Sequence, residues 1–242
     1  MLSVNEAVNE ILRNTKVLDA EVKPLLETRG QVLAEDVVAE IDIPTLDNSA
    51  MDGYAVRAAD TYGAGPQSPR VLKVIDTVMA GSISWQTVTP GSAVRIMTGA
   101  PVPSGADSIV QFEYTDKQAR KADEVEIFRE VARGTHVRQA GEDVRKDSLV
   151  VSRGTVLNPA HIGLLASIGK SHIKVIRRPR VAVLVTGNEL VEAGRPLSPG
   201  KLYNSNSYTI ASLVARYGGI PEVLDIARDS EDSLGPLMNR GL

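Results

Sequence analysis

The chain has 242 residues, is 43% hydrophobic and 24% charged, a globular composition with enough apolar residues for one large core or two small ones. With 30 acidic against 27 basic residues and a formal net charge of −3, there is no electrostatic case for a nucleic acid or an anionic membrane as partner. The absence of cysteine excludes disulfides and thiolate metal sites.

Residues 1–14 place Val4, Ala7, Val8, Ile11 and Leu12 on one helical face. They lack the unbroken apolar stretch of a signal peptide or a membrane span, so a cytoplasmic location is expected. Pro24 marks a break, and residues 31–40 read as a strand. From 42 to 141 short β-rich runs (71–78, 92–97, 108–112, 124–131) alternate with Gly, Pro and Ser. That spacing predicts a compact all-β module. Its core should rest on Val, Ile, Leu and Met, because aromatic residues are only 4% of the chain.

Residues 149–157 read as a strand pair around a turn. A helix over 159–168 starts at Asn158-Pro159 and stops at Gly169, and 171–176 is a short alternating strand. The basic run Arg177, Arg178 and Arg180 reads as a solvated edge. The apolar run 180–185 suits a parallel strand buried on both faces. A helix capped by Asn206 or Ser207 extends to about Tyr217 and closes at Gly218-Gly219, and 221–226 reads as a second parallel strand. Together they form a βαβ unit. A last helix should begin near Ser230, with Gly235-Pro236 interrupting it. The fold class is multidomain, α/β plus all-β: an elongated chain with a β-rich module and the first βαβ part of an α/β domain.

The most informative stretch is Asp-Asn-Ser-Ala-Met-Asp-Gly-Tyr-Ala at 47–55. Asp, Asn and Ser bond back to their own backbone and Gly53 tolerates unusual dihedrals, so a rigid loop aiming Asp47 and Asp52 outward is expected. Such a pair either holds a hard cation or faces a reacting group; an ordinary surface turn is the alternative. Thr98-Gly99 follows a strand and offers a hydroxyl to an oxyanion, or is a plain β-turn. Arg138 offers a planar fork to an oxyanion, or simply pairs with Glu142. Thr186-Gly187-Asn188-Glu189 lies beyond the carboxyl end of a parallel strand, where open α/β sheets bind ligands. Asp229 ends the second strand at the same edge, and the two acids there suit a divalent ion. Tyr203, Asn204 and Asn206 precede a helix whose N-terminus receives phosphate or is merely capped. His136, His161 and His172 fit no zinc spacing. There is no dinucleotide fingerprint and no nucleophile elbow.

The 47–55 loop resembles the signature loop of the molybdopterin molybdenumtransferase family, which includes the gephyrin E domain. Arg-Ile-Met-Thr-Gly-Ala-Pro-Val-Pro at 95–103, Arg-Gln-Ala-Gly-Glu-Asp at 138–143 and Val-Ala-Val-Leu-Val-Thr-Gly-Asn-Glu-Leu at 181–190 resemble three further family motifs, in family order. The resemblance implies a linking domain (1–42 with 142–176), a β-rich module (43–141) and an incomplete molybdopterin-binding α/β domain (177–242). It implies insertion of molybdenum from molybdate into adenylylated molybdopterin with release of AMP. It places Asp52, Asp143 and Glu189 as catalytic residues. Asp47, Ser49, Thr98, Gly99, Arg138, Thr186, Gly187, Tyr203, Asn204 and Asn206 bind substrate, and Glu189 and Asp229 hold Mg2+ or another divalent ion. It further implies a homodimer whose cleft joins the β module of one subunit to the α/β domain of the other, and a molybdopterin adenylyltransferase as partner.

The resemblance stops near Asp229, whereas family members continue with more strands and a C-terminal β domain. The chain therefore reads as truncated, either expressed as a piece or shortened in nature, with an exposed sheet edge and its activity alone an open question. A non-catalytic molybdopterin-binding or scaffold fragment of the same fold is the alternative. An unrelated nucleotide-binding protein, supported only by the βαβ unit, is a third reading.

Overall fold

The computed structural model describes residues 2–116 and 123–241. The chain divides into two compact units, one of residues 38–150 and one of residues 1–37 with 151–242.

The first unit is built on a five-stranded sheet in the order Ser108–Gln111, Gly53–Val56, Ser92–Ile96, Arg70–Val78, Glu124–Ile127. All neighbours are antiparallel except Arg70–Val78 with Ser92–Ile96, which run parallel with a register shift between Val74 and Asp76. Side chains alternate across the pleat, so Tyr54, Val56 and Val110 join Leu72, Val125 and Ile127 on one face. Ala55 and Ile109 join Val78, Val94 and Ile96 on the other. Each fully buried Val or Ile stabilises the fold by roughly 1.5–3 kcal/mol relative to exposure, and Ile96, Ile109, Val94 and Val110 are all fully buried. The core departs from composition-based expectation in one respect. Methionine contributes no buried side chain among the described residues, whereas Tyr54 is only 4% exposed and packs edge-on against Phe112 at 5.5 Å. A ring placed centrally on a sheet buries a large apolar surface in a fixed geometry. The run 124–131 forms a strand only over Glu124–Ile127.

In the second unit the helix Val4–Asn14 begins with a capping box between Ser3 and Glu6. Its apolar face is present as expected but uncovered: no residue of the helix is buried, and Val4 is 80% and Ile11 65% exposed. Ala20–Pro24 pairs antiparallel with His172–Ile176. The helix Pro159–Ser167 is capped by Asn158, whose side chain accepts the His161 N–H at 3.0 Å while His161 Nδ1 accepts the Asn158 N–H at 3.3 Å.

Arg180–Val183 runs parallel to Ile220–Val223 with the helix Asn206–Arg216 between them in sequence. Three expectations need correction. Residues 31–40 form no continuous strand, only isolated bridges at Val32 and Leu33 and the short strand Val37–Val38. The 180–185 run is not buried on both faces: Val183 and Val185 are buried, but Val181, Ala182 and Leu184 are half-buried, because a pair of strands has no central member. Gly235-Pro236 does not interrupt the last helix, which spans Glu231–Gly241 with Pro236 inside it. The missing proline N–H removes one bond, to Asp232. The helix nevertheless continues through it, and its end lies close to the strand: a Cβ on Gly241 would be 2.9 Å from the Ala182 side chain.

Candidate functional site

The 47–53 loop is fixed by bonds to two neighbouring segments, 136–138 and 99–100. Asn48–Ser49 pairs antiparallel with Val137–Arg138. The Ser49 N–H donates to the Ala100 carbonyl and the Gly99 N–H to the Ser49 carbonyl, at 3.0 and 2.8 Å. The Ala50 N–H donates to the His136 carbonyl at 2.9 Å. Gly53 is then required by close approach, because a Cβ there would sit 2.0 Å from the Val110 carbonyl oxygen.

This scaffold presents Asp52 on the exposed surface. Its Oδ1 accepts both the Thr98 N–H at 2.7 Å and the Thr98 hydroxyl at 2.8 Å. Those two donors, the backbone N–H first, hold its carboxyl below the ordinary aspartate value. Thr98 reaches this position because Gly53 pairs with Ile96 across the sheet. Gly99 follows in a left-handed conformation (φ 81°) with open space where a Cβ would be, which leaves the turn approachable.

Asp47 behaves differently from Asp52. Its Oδ1 accepts the Ala140 N–H at 2.8 Å and its carbonyl accepts the Val102 N–H at 2.9 Å, so it joins the signature loop to the 138–143 segment. Arg138 pairs with Asp143 at 2.5 Å, and Glu142 instead accepts the Gln139 N–H at 3.0 Å; the expected alternative pairing of Arg138 with Glu142 is thus replaced by its neighbour. Ser49, 1% exposed, spends its hydroxyl on the Met51 carbonyl, which makes it a loop brace.

In the other unit, Thr186 forms a parallel bridge with Ala227 just past the paired strands. The Gly187 N–H donates to the Ala227 carbonyl, and the Glu189 carboxylate folds back so closely that a Cβ on Gly187 would meet its Oε2 at 2.8 Å. Asp229 Oδ2 accepts the Asn188 N–H at 3.2 Å. Glu189 and Asp229 therefore flank one turn at the carboxyl end of adjacent parallel strands. Beside them lies a cleft of about 460 Å³ lined by Gly187, Asn188, Leu190, Lys201, Ile226 and Arg228. Lys201 Nζ donates to the Asn188 carbonyl at 2.6 Å. The sequence reading does not single out Lys201 or Arg228; neither belongs to a motif, and only the strand pairing of Leu190–Val191 with Leu202–Tyr203 brings Lys201 to the cleft.

The helix start is built otherwise than expected. Asn204, 2% exposed, accepts the Ser207 N–H at 3.2 Å and donates to its hydroxyl at 2.9 Å. The capping side chain is thus Asn204, while Asn206 is exposed and is the first helical residue. The Tyr203 hydroxyl donates to the Arg195 carbonyl at 3.0 Å and holds the connecting loop. Among the described residues no three His, Cys, Asp or Glu side chains group as a metal site, and no helix is long and apolar enough to cross a membrane.

The family description "MoeA N-terminal region (domain I and II)" matches residues 2–169. The chain is 41% identical over 240 residues to a Mycobacterium tuberculosis protein named molybdopterin molybdenumtransferase 2, covering 99% of this chain and 58% of that one. It is 37% identical over 232 residues to a Staphylococcus aureus molybdopterin molybdenumtransferase, covering 96% of this chain and 55% of that one. A crystal structure of the molybdopterin biosynthesis MoeA protein of Pyrococcus horikoshii superposes with a TM-score of 0.87 at 34% identity, covering 100% of this chain and 65% of that one. The chain thus spans little more than half the length of the two transferases it matches.

Proposed function

From the premise that this chain belongs to the MoeA family of molybdopterin molybdenumtransferases, we propose that it acts in molybdenum cofactor biosynthesis, inserting molybdenum from molybdate into adenylylated molybdopterin and releasing AMP. The observation that carries this reading is the Asp52 carboxylate, exposed and gripped by both donors of Thr98. A carboxylate held ionised, on a loop that cannot shift, is suited to orient or deprotonate a water or to face a cationic centre. Arg138 lies on the strand paired to the same loop, and its guanidinium can turn from Asp143 toward a tetrahedral oxyanion such as molybdate.

In the other unit, Lys201 and Arg228 line the cleft beside Gly187 and supply positive charge for a phosphate. Glu189 and Asp229 are hard oxygen donors of the kind that Mg2+ takes together with substrate phosphates and water. With no third acidic or imidazole side chain grouped there among the described residues, the donor set fits a cation completed by the substrate. Such a cation would neutralise charge on the pyrophosphate link. Thr186 is exposed at the strand end and can offer its hydroxyl to a ligand, Gly187 is covered by the Glu189 carboxylate until that side chain turns to a cation, and Asn204 fixes the start of the following helix.

The uncovered apolar face of Val4–Asn14 supports a homodimer, since a helix of this length gains little stability without a packing partner. A molybdopterin adenylyltransferase, whose product this substrate would be, is the proposed supplying partner. The test is AMP release from adenylylated molybdopterin with Mg2+ and molybdate. Release abolished by Asp52→Ala and by Glu189→Ala supports the reading. Binding of the pterin without release favours a non-catalytic molybdopterin-binding or scaffold fragment, and binding of nucleotides but no pterin defeats both.

A further inference from the structure

A second cavity, of about 320 Å³, lies within the β-rich unit and takes no part in the reaction above. Its size is at the lower end of the range for small-ligand sites. Val131 and Ala132 give it apolar walls above the fully buried Ile109, and Gln111, Arg129, Thr135 and His136 give it polar ones. The Arg129 guanidinium stacks over the Tyr114 ring, 4.4 Å from its centroid, and has no carboxylate partner among the described residues. Glu130 also borders the cavity, but its Oε2 accepts the Gly63 N–H at 2.8 Å. What remains is one oriented cation, a half-buried imidazole and an apolar floor. That combination suits a small organic carboxylate with an apolar body better than a bare inorganic anion.

One lining residue of this cavity, His136, and the chain neighbour of another, Gln111, anchor the loop that carries Asp52. The His136 carbonyl accepts the Ala50 N–H at 2.9 Å, and Phe112, next to Gln111, donates its N–H to the Asp52 carbonyl at 3.2 Å. His136 holds its anchor in a left-handed conformation, φ 57°, uncommon for non-glycine residues although histidine enters it more readily than most. We propose that the cavity between His136 and Gln111 is an effector site for a small carboxylate with an apolar body, whose occupancy is transmitted to Asp52 through the paired anchors at Ala50 and Phe112.

The experiment uses the full chain and benzoate as probe, with inorganic phosphate as the non-apolar control. Calorimetry should show saturable benzoate binding, weakened about tenfold in Arg129→Gln and likewise in Ala132→Phe, which places a ring at the cavity mouth. Phosphate should bind about tenfold more weakly than benzoate. Amide exchange of residues 50–53 should slow about threefold or more with benzoate in the unmodified chain, and not in Arg129→Gln. Absence of benzoate binding, equal binding in Arg129→Gln, or phosphate binding as tightly as benzoate overturns the ligand class. Binding with no change in exchange at 50–53 overturns the coupling. Arg129 is exposed, so its variant keeps the test decisive even where Ala132→Phe fails to fold.

Discussion

The two units hold their candidate residues by different means. In the β-rich unit, Asp52 sits on a loop bonded to a five-stranded sheet that is buried on both faces. In the other, Glu189 and Asp229 flank a turn at the end of two parallel strands, each of which is an edge. The first arrangement fixes geometry before any ligand arrives, because moving Asp52 means breaking backbone pairing in a packed core. The second fixes the backbone turn but leaves both carboxylates exposed, to be placed by what they bind. Under the proposed function, recognition of a charged, phosphate-bearing substrate would fall to the second, and the group that meets a reacting atom to the first.

The largest effect is expected where this contrast is sharpest. Gly53→Ala drives a methyl to within 2.0 Å of the Val110 carbonyl oxygen, a clash with backbone that cannot give, and should cost about 4 kcal/mol or more. Thermal unfolding checks it, together with the near-ultraviolet circular dichroism of Tyr54. Gly187→Ala is the comparison in the other unit: there the new methyl meets the Glu189 side chain, whose carboxylate can swing away, and the remaining cost is that of placing a side chain at φ 154°, so a smaller loss of about 1–3 kcal/mol is expected. Equal costs would break the comparison. Next comes catalysis. Asp52→Asn keeps the shape but not the charge, and should lower the rate of AMP release about 100-fold with little change in substrate affinity. Glu189→Gln should act mainly through the divalent-ion concentration needed for half-maximal rate, raising it about tenfold. A variant of either residue showing the other's pattern would exchange their roles.

Much of this was legible in the chain. The β runs of 42–141 announce the sheet, and Asp47, Ser49, Asp52 and Gly53 announce a rigid loop. Their division of labour was not legible. Asp47 and Ser49 brace the loop while Asp52 is presented, and nothing local distinguishes the two aspartates; the difference lies in Ala140 and Thr98, far away in sequence. The same holds for Lys201, which reaches the cleft only through pairing of Leu190–Val191 with Leu202–Tyr203. Local pattern misled in two places. Pro236 lies inside a helix that continues to Gly241 despite the missing N–H, and the apolar pattern of 180–185 promises more burial than a pair of strands provides.

A smaller effect is expected at the helix start in the less enclosed unit. Asn204→Ala removes the side-chain acceptor for the Ser207 N–H and the donor to its hydroxyl, and should cost about 1–2 kcal/mol. Amide exchange should localise the loss to the first turn of Asn206–Arg216 and leave the five-stranded sheet protected. Spread of the loss into the sheet would mean the two regions unfold as one, and the comparison would fail.

The smallest effect concerns the charge of Asp52. Its folded carboxyl titrates below the ordinary value because Thr98 donates twice to the charged form. A depressed folded value stabilises the protein above the unfolded value, and that contribution disappears as pH falls through the folded one. The window therefore lies on the acid side of the usual aspartate range, and exposure of the group keeps the contribution to stability small. Thr98→Val deletes the hydroxyl donor but keeps the N–H, so the Asp52 titration followed by carbon NMR should move part of the way up toward the ordinary value. No movement would mean that the backbone donor alone holds the charge, and that the side chain of Thr98 is free to serve the substrate.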